Sequence, residues 1–214
     1  SILLNSKTLY NPPLKEAKMK KIRGFRDILP SDIHSWEKIE TLLVRTSQQF
    51  DINQIKLPLV EMESLYKRSV GEHTDIVGKE MYAFTDLNED IIALRPEGTA
   101  GAVRSFIEQG LSGRNQAKWW YNGPMFRRER PQKGRYRQFY QFGIELFGYE
   151  GISSDIELIA LSHQVFKDLD LLEHLALKVN FLPTQTTRVK YNQDLRQYLK
   201  LHIEKLDEDS RNRI

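Results

Sequence analysis

The 214-residue chain contains no cysteine. That excludes a disulfide framework and any thiolate metal site, and is compatible with a reducing compartment. No apolar run approaches the ~20 residues that a membrane-spanning helix requires. The first apolar cluster, Ile2-Leu3-Leu4, is too short for the core of a secretory signal. Net charge is only +3, which argues against a protein that coats nucleic acid by bulk charge and for a local contact. Neither a P-loop nor a GxGxxG run occurs, so any nucleotide site is not of the Walker or Rossmann type. The five histidines, His34, His73, His163, His174 and His202, are scattered. None has a second histidine at metal-ligand spacing; His163, on an apolar stripe, reads as a packed side chain.

What is present describes an ordinary folded chain, with 40% hydrophobic and 29% charged residues. It is long enough to bury a sizeable core, and its length predicts one domain or one and a fraction. Residues 1–18 hold Pro12-Pro13 and no sustained period, and are read as an extension, engineered or species-specific. Ser31 is a candidate N-cap for a helix reaching Phe50, with Ile33, Trp36, Ile39 or Glu40, Leu43 and Phe50 at helical spacing. Ile55 to Val60 reads as a strand interrupted at Pro58. Leu65 to Met81, with Gly71 and Gly78, predicts irregular structure or a short helix. Met81–Phe84 and Ile91–Arg95 predict two strands around a turn at Asp86–Asp90. Gly98 to Leu111 predicts a helix with Ala100, Val103, Ile107 and Leu111 on one stripe. Ser154 and Glu157 form a capping-box pair before a helix whose stripe holds Ile156, Ile159, Ala160, His163 and Phe166. Leu177 to Leu182 is a strand candidate, and Arg188 to Ile214 an amphipathic helix. There is no internal repeat and no low-complexity tract.

Basic charge concentrates in one stretch, Gly123 to Phe147, which holds Arg127, Arg128, Arg130, Lys133, Arg135 and Arg137. Before it, Trp119, Trp120, Tyr121, Met125 and Phe126 are β-formers; within it, Pro131 and Gly134 are turn residues. A strict alternation follows. Arg137, Phe139, Gln141, Gly143 and Glu145 fall on one strand face, and Gln138, Tyr140, Phe142, Ile144 and Leu146 on the other. The pattern predicts an antiparallel hairpin with a long, mobile basic loop, one greasy face, and one face carrying charge, an amide and bare backbone. Arg127 and Glu129 share strand parity. An arginine fork matches a phosphate, and a carboxylate two residues on can accept from an exocyclic amine. With Phe139 on the next strand, they make a plausible nucleotide platform. A solvated face with a basic hairpin tip is the alternative; for Gly143 alone the alternative is a bulge.

Phe126-Arg127-Arg128-Glu129, a loop, and Arg137-Gln138-Phe139 resemble motif 2 of the class II aminoacyl-tRNA synthetases. Leu94-Arg95-Pro96-Glu97-Gly98-Thr99-Ala100 resembles the LRPEGTA signature of the histidyl-tRNA synthetase family. Arg130 to Phe139 resembles that family's RPQKGRYRQF loop, and Arg23-Gly24-Phe25-Arg26-Asp27-Ile28-Leu29-Pro30 its opening RGxxD…P. The resemblance covers Met19 to Asn180. It implies an α+β fold, a class II synthetase-like antiparallel sheet flanked by helices. Residues 19–183 would form a partial catalytic domain with motifs 1 and 2, and residues 184–214 a helical segment leading towards motif 3. The helix Ser31–Phe50 and Pro58 match motif 1, which builds the family's dimer interface. Past Asn180 the chain reads Phe181-Leu182-Pro183-Thr184 where the family has a Ser–aliphatic–Gly turn. The family's later arginine-bearing segment, motif 3 and anticodon-binding domain are not within these residues.

The implied reaction joins histidine to ATP as histidyl-adenylate and transfers it to the tRNA 3′ end, with Mg²⁺ bridging phosphates and carboxylates. By the resemblance, Arg127 is the catalytic residue and holds the α-phosphate. Glu129 accepts from the adenine amino group, Phe139 stacks on the ring, and Arg135 meets the outer phosphates. Glu97, Thr99 and Gln141 hold the α-ammonium of histidine, and Glu145 pairs with its imidazole. Gln132 and Lys133 approach the acceptor end of tRNA-His. No dedicated protein metal site is expected. A cytoplasmic homodimer without a membrane partner is. Two rivals stand beside this reading: a non-catalytic synthetase-like regulator of histidine biosynthesis, and an RNA-sensing interaction module. The intact basic loop favours the enzyme. Separate titrations with ATP and histidine discriminate, since a regulator can bind histidine without ATP or tRNA.

Overall fold

The computed structural model describes residues 20–70, 80–113, 115–180 and 184–212; the extension at 1–18 lies outside them. The chain divides into two units, residues 1–171 and 172–214. In the first, helix α1 (Pro30–Gln49) starts earlier than expected. Leu29, not Ser31, is the N-cap, and Pro30 occupies the first turn, where its missing N–H is no loss and its fixed φ suits a helix. The expected stripe is corrected as well. Leu42, Leu43, Thr46 and Ser47 are buried, whereas Ile33 and Ile39 are exposed. Phe50 packs on the same cluster, and Trp36 meets Tyr140 edge-on at 4.5 Å.

Leu42 and Leu43 pack with Ile52, Trp120 and two residues of helix α4 (Ile152–Asp168), Leu161 and Val165. No capping box forms. Gly151 is the N-cap of α4, and the Glu157 carboxylate accepts from Lys118 Nζ at 2.6 Å. The stripe proposed for α4 faces outward: Ile156, Ile159, Phe166 and His163 are exposed, so His163 is not a packed histidine.

Two three-stranded sheets organise the rest of this unit. In one, β1 (Asn53–Gln54) runs parallel to β5 (Ala117–Phe126), which pairs antiparallel with β6 (Gln138–Phe147). In the other, β2 (Val60–Met62), β4 (Ile91–Leu94) and β3 (Tyr82–Thr85) are antiparallel in that order. The β5–β6 hairpin is the one expected, and its register is continuous, with Tyr121 opposite Gly143; no bulge interrupts it. The expected strand over Ile55–Val60 does not form. The chain leaves the first sheet after Gln54 and joins the second at Val60. Between them, the Leu57 and Pro58 carbonyls accept from Arg95 Nη1 at 2.9 and 3.3 Å. Proline cannot donate to a ladder, and outside a ladder these two carbonyls take their donor from a buried guanidinium.

Helix α2 (Glu63–Val70) is the short helix anticipated; residues 71–79, with Gly71 and Gly78, lie outside the described residues. Helix α3 (Thr99–Glu108) buries Ala100, Gly101, Ala102 and Phe106, while Val103 and Ile107 are exposed. Its first turn serves two clusters. Ala100 joins Tyr66 and Ala93, and Ala102 joins Tyr121 and Met125, so small residues on two sides replace one greasy stripe.

In the second unit, a 3-10 turn at Leu172–His174 precedes irregular chain up to Asn180. The strand candidate there does not form over its described part, and 181–183 lie outside it. Thr184 Oγ1 caps helix α5 (Gln185–Leu201) by accepting from the Thr187 N–H. A 3-10 turn at Ile203–Lys205 and helix α6 (Glu208–Asn212) follow, so the single terminal helix expected is three pieces. Among the described residues no helix is long and apolar enough to cross a membrane.

Candidate active site

Strand parity gathers most of the predicted residues. Phe139, Gln141, Gly143 and Glu145 lie opposite Met125, Gly123, Tyr121 and Trp119, and opposed residues share a face. The start of α3 reaches the far end of this face. Thr99 Oγ1 donates to Glu145 Oε1 at 2.7 Å, and the Tyr121 hydroxyl donates to the same oxygen at 3.2 Å. Oε2 is left without a partner among the described residues. Burial raises the Glu145 carboxyl above its ordinary value; the Thr99 and Tyr121 bonds oppose the rise, and nearby Glu97 adds to it. A half-buried carboxylate with one oxygen fixed and one open is arranged to accept from an N–H-bearing, cationic group.

Tyr121 is not among the predicted site residues, yet it is the centre of this cluster. Its ring is buried between two glycines: a Cβ on Gly98 would fall 2.2 Å from the ring, and one on Gly143 2.3 Å. Burial above all pushes the phenol up to about 12, although the Thr99 hydrogen bond pulls the other way. At neutral pH it is therefore a neutral donor. One signal could have revealed it. Gly143 is the one position on its strand face without a side chain, and a hairpin register places a large residue opposite.

Glu97 does something not predicted. Its carboxylate accepts from the Thr99 N–H at 2.5 Å and the Ala100 N–H at 3.0 Å, at the positive end of α3. Capping uses part of its capacity, since a carboxylate offers about four acceptor sites. The Gln141 amide is partly buried and has no hydrogen-bond partner among the described residues.

At the other end of the face, Arg127 Nε donates to the Pro96 carbonyl at 2.9 Å. Its guanidinium carbon lies 5.0 Å from the Phe139 ring centroid, a cation–π contact. Glu129 is buried and accepts from Arg135 Nε, with Arg127 Nη1 4.0 Å from its other oxygen. The long loop expected after Glu129 is folded as a tight turn. Gln132 and Arg135 exchange both backbone bonds across Lys133-Gly134, where Gly134 has a φ of 77° that suits a residue without Cβ. Gln132 and Lys133 are exposed at the tip. Arg137 anchors the opening segment here. Its N–H donates to the Gly24 carbonyl at 2.8 Å and its Nε to the Glu129 carbonyl at 3.1 Å.

A family model described as histidyl-tRNA synthetase matches residues 24–211. The chain belongs to the histidyl-tRNA synthetase family. It is 48% identical over 199 residues to a histidine–tRNA ligase of Francisella tularensis (strain FSC 198), covering 92% of this chain and 47% of that protein. Against the histidine–tRNA ligase of Legionella pneumophila (strain Lens) it is 49% identical over 197 residues, covering 92% and 46%. The apo histidyl-tRNA synthetase of S. aureus matches its structure with a TM-score of 0.69 at 35% identity, over 91% of this chain and 46% of the other. A Bacillus halodurans C protein described as an ATP phosphoribosyltransferase regulatory subunit/histidyl-tRNA synthetase matches with a TM-score of 0.62 at 24% identity, over 72% and 39%. That is a likeness of fold alone. The chain spans about half the length of the curated relatives it matches. Its sheets and flanking helices are those of the class II catalytic fold that histidyl-tRNA synthetases share.

Proposed function

We propose that this chain carries the histidine- and ATP-binding part of a histidine–tRNA ligase. The Glu145 cluster carries the conclusion: a carboxylate fixed on one oxygen by Thr99 and Tyr121, and open on the other among the described residues, on the same strand face as a Gln141 amide that has no partner among them. Glu145 pairs with the imidazole, and Gln141, Thr99 and Glu97 take the α-ammonium. Arg127 neutralises the α-phosphate, Phe139 stacks on adenine, Glu129 accepts from its amino group, and Arg135 meets the outer phosphates. The histidine carboxylate attacks the α-phosphorus and pyrophosphate leaves, a reaction served mainly by positioning and charge neutralisation. Transfer follows to the tRNA end approached by Gln132 and Lys133. Mg²⁺ would bridge the nucleotide phosphates and a few carboxylates. The setting proposed is the cytoplasm.

Titration calorimetry with histidine and ATP separately tests this. Glu145→Gln should weaken histidine binding about tenfold or more, the loss of a charge-assisted bond of about 1.5–3 kcal/mol, with ATP binding unchanged. The pH dependence has a definite sign. Histidine needs the ionised carboxylate, so wild-type affinity should fall as pH drops through the raised value of Glu145. That arm should vanish in Glu145→Gln. Wild-type affinity for histidine in the variant would remove Glu145 from the site.

The proposed twofold, isologous dimer predicts a second outcome. Met62 and Phe84 share one face of the second sheet through Ile92 and are 45% and 48% exposed; Ile33 on α1 is 43% exposed. Sedimentation at high micromolar concentration should give a dimer mass, and Met62→Lys should weaken association at least about tenfold. A strictly monomeric wild-type chain would refute the interface.

A further inference from the structure

A groove of about 590 Å³ lies between the opening segment and the basic turn. Lys20, Lys21, Arg23 and Arg26 form one wall; Gln132, Arg135 and Tyr136 form the other, and no carboxylate of the described residues lines it. Two of its cations are compensated. Arg26 pairs with Asp32 at 2.9 Å, and Arg135 with Glu129. Lys20, Lys21 and Arg23 have no acidic partner among the described residues.

Bonds to its backbone carbonyls hold that wall in place. Besides its bond to Gly24, Arg137 donates through Nη1 to the Arg23 carbonyl at 3.4 Å. Gly24 has a φ of 90°, and a Cβ there would fall 2.7 Å from the Arg137 side chain. The backbone of the opening is thus fixed, while its lysines and Arg23 are in no ion pair among the described residues. Like charges collected without counter-ions raise the local potential, which a polyanion relieves. Lysine meets phosphates as a point charge without demanding one geometry. The Gln132 amide and Tyr136 hydroxyl add neutral donors of the kind that position a nucleic-acid backbone.

We propose that this groove seats backbone phosphates of the RNA strand whose end enters the β5–β6 site, with Lys20, Lys21 and Arg23 supplying most of the binding charge. The inference rests on the ligase reading above. Its test is fluorescence anisotropy of an RNA hairpin bearing a single-stranded 3′ end, at several salt concentrations. K20A/K21A/R23A should lower affinity about tenfold or more. It should make the log–log salt dependence shallower by about two to three, near one for each phosphate that is no longer neutralised. Histidine and ATP affinity, measured on the same samples, should not change. Unchanged RNA affinity and slope would overturn the proposal. So would an equal loss in K190A/R196A/K200A, which removes three cations from α5, because diffuse charge would then explain the binding. Inorganic phosphate that displaces the RNA at equal phosphate concentration and constant ionic strength would show a free-phosphate site instead, and also overturn it. A wild-type chain that binds the hairpin with the predicted slope but neither histidine nor ATP would refute the ligase reading and leave the groove standing.

Discussion

Gly143→Ala should lower histidine affinity about tenfold or more and the unfolding midpoint by roughly 6 °C. Gly143 does not sit at positive φ, so alanine meets no backbone penalty there. The obstacle is Tyr121, whose Cζ and Oη would lie 2.3 Å from the new methyl group. The ring has no retreat, because Gly98 closes its other side at a similar distance. Overpacking of this kind costs about 1–3 kcal/mol, and a chain of this size loses about 2–4 °C for each kcal/mol. A displaced ring also takes its hydroxyl from Glu145, a bond to a charged group worth about 1.5–3 kcal/mol. Tyr121→Phe separates the two effects: it keeps the ring and should weaken histidine binding with a smaller loss of stability. Calorimetry and thermal melts on both variants are the measurements. Wild-type histidine affinity in Gly143→Ala would mean that Tyr121 does not set Glu145.

Arg95→Ala should destabilise the fold by about 3–5 kcal/mol, the range for removing a buried, multiply bonded charge. Arg95 is 4% exposed. Its guanidinium donates to the carbonyls of Leu57, Pro58 and Pro124, and Gly123 makes room for Nη2, which would lie 2.3 Å from a Cβ there. Burial pulls its pKa down from the ordinary arginine value, but it stays cationic. Its removal orphans acceptors on the bend between the two sheets and on β5. Arg95→Lys should recover only part of the loss, since an ammonium cannot bracket three carbonyls in a plane. Urea unfolding should show a lower midpoint with an unchanged slope. An unfolding free energy within about 0.5 kcal/mol of wild type, the ordinary scatter of surface changes, would mean that water serves those carbonyls equally well.

Phe139, Gln141 and Glu145 could be placed on one face from the sequence because strand alternation is geometric and survives any tertiary context. The capping box could not be trusted for the opposite reason. Ser154 and Glu157 have the right spacing, but Lys118, 39 residues away in sequence, takes the carboxylate. Stripe reading fails on α3 because its first turn packs on two sides at once, so alanines rather than Val103 and Ile107 are buried. Tyr121 and Arg95 stay hidden because each looks ordinary in its own segment. One is an aromatic in a strand, the other a cation in a basic chain. Their roles come from glycines that face them across the fold, Gly143 and Gly123, and that pairing needs register. Glu97 reads from the sequence as a ligand-facing acid, and its bonds to the α3 backbone depend on where the helix begins.

The ion pair between Glu129 and Arg135 bears on how ATP enters. In the proposed assignment these residues serve opposite ends of the nucleotide, adenine and the outer phosphates. In the structure they satisfy each other. Adenine must displace the guanidinium from Glu129, and the guanidinium so released is what the phosphates capture. The two ends of ATP are therefore thermodynamically coupled. A nucleoside alone breaks the pair and gives Arg135 no new partner. Inorganic triphosphate alone pulls Arg135 away and strands a buried carboxylate. Only a ligand that presents both ends at once recovers both interactions, so the intact nucleotide should bind more tightly than its halves imply.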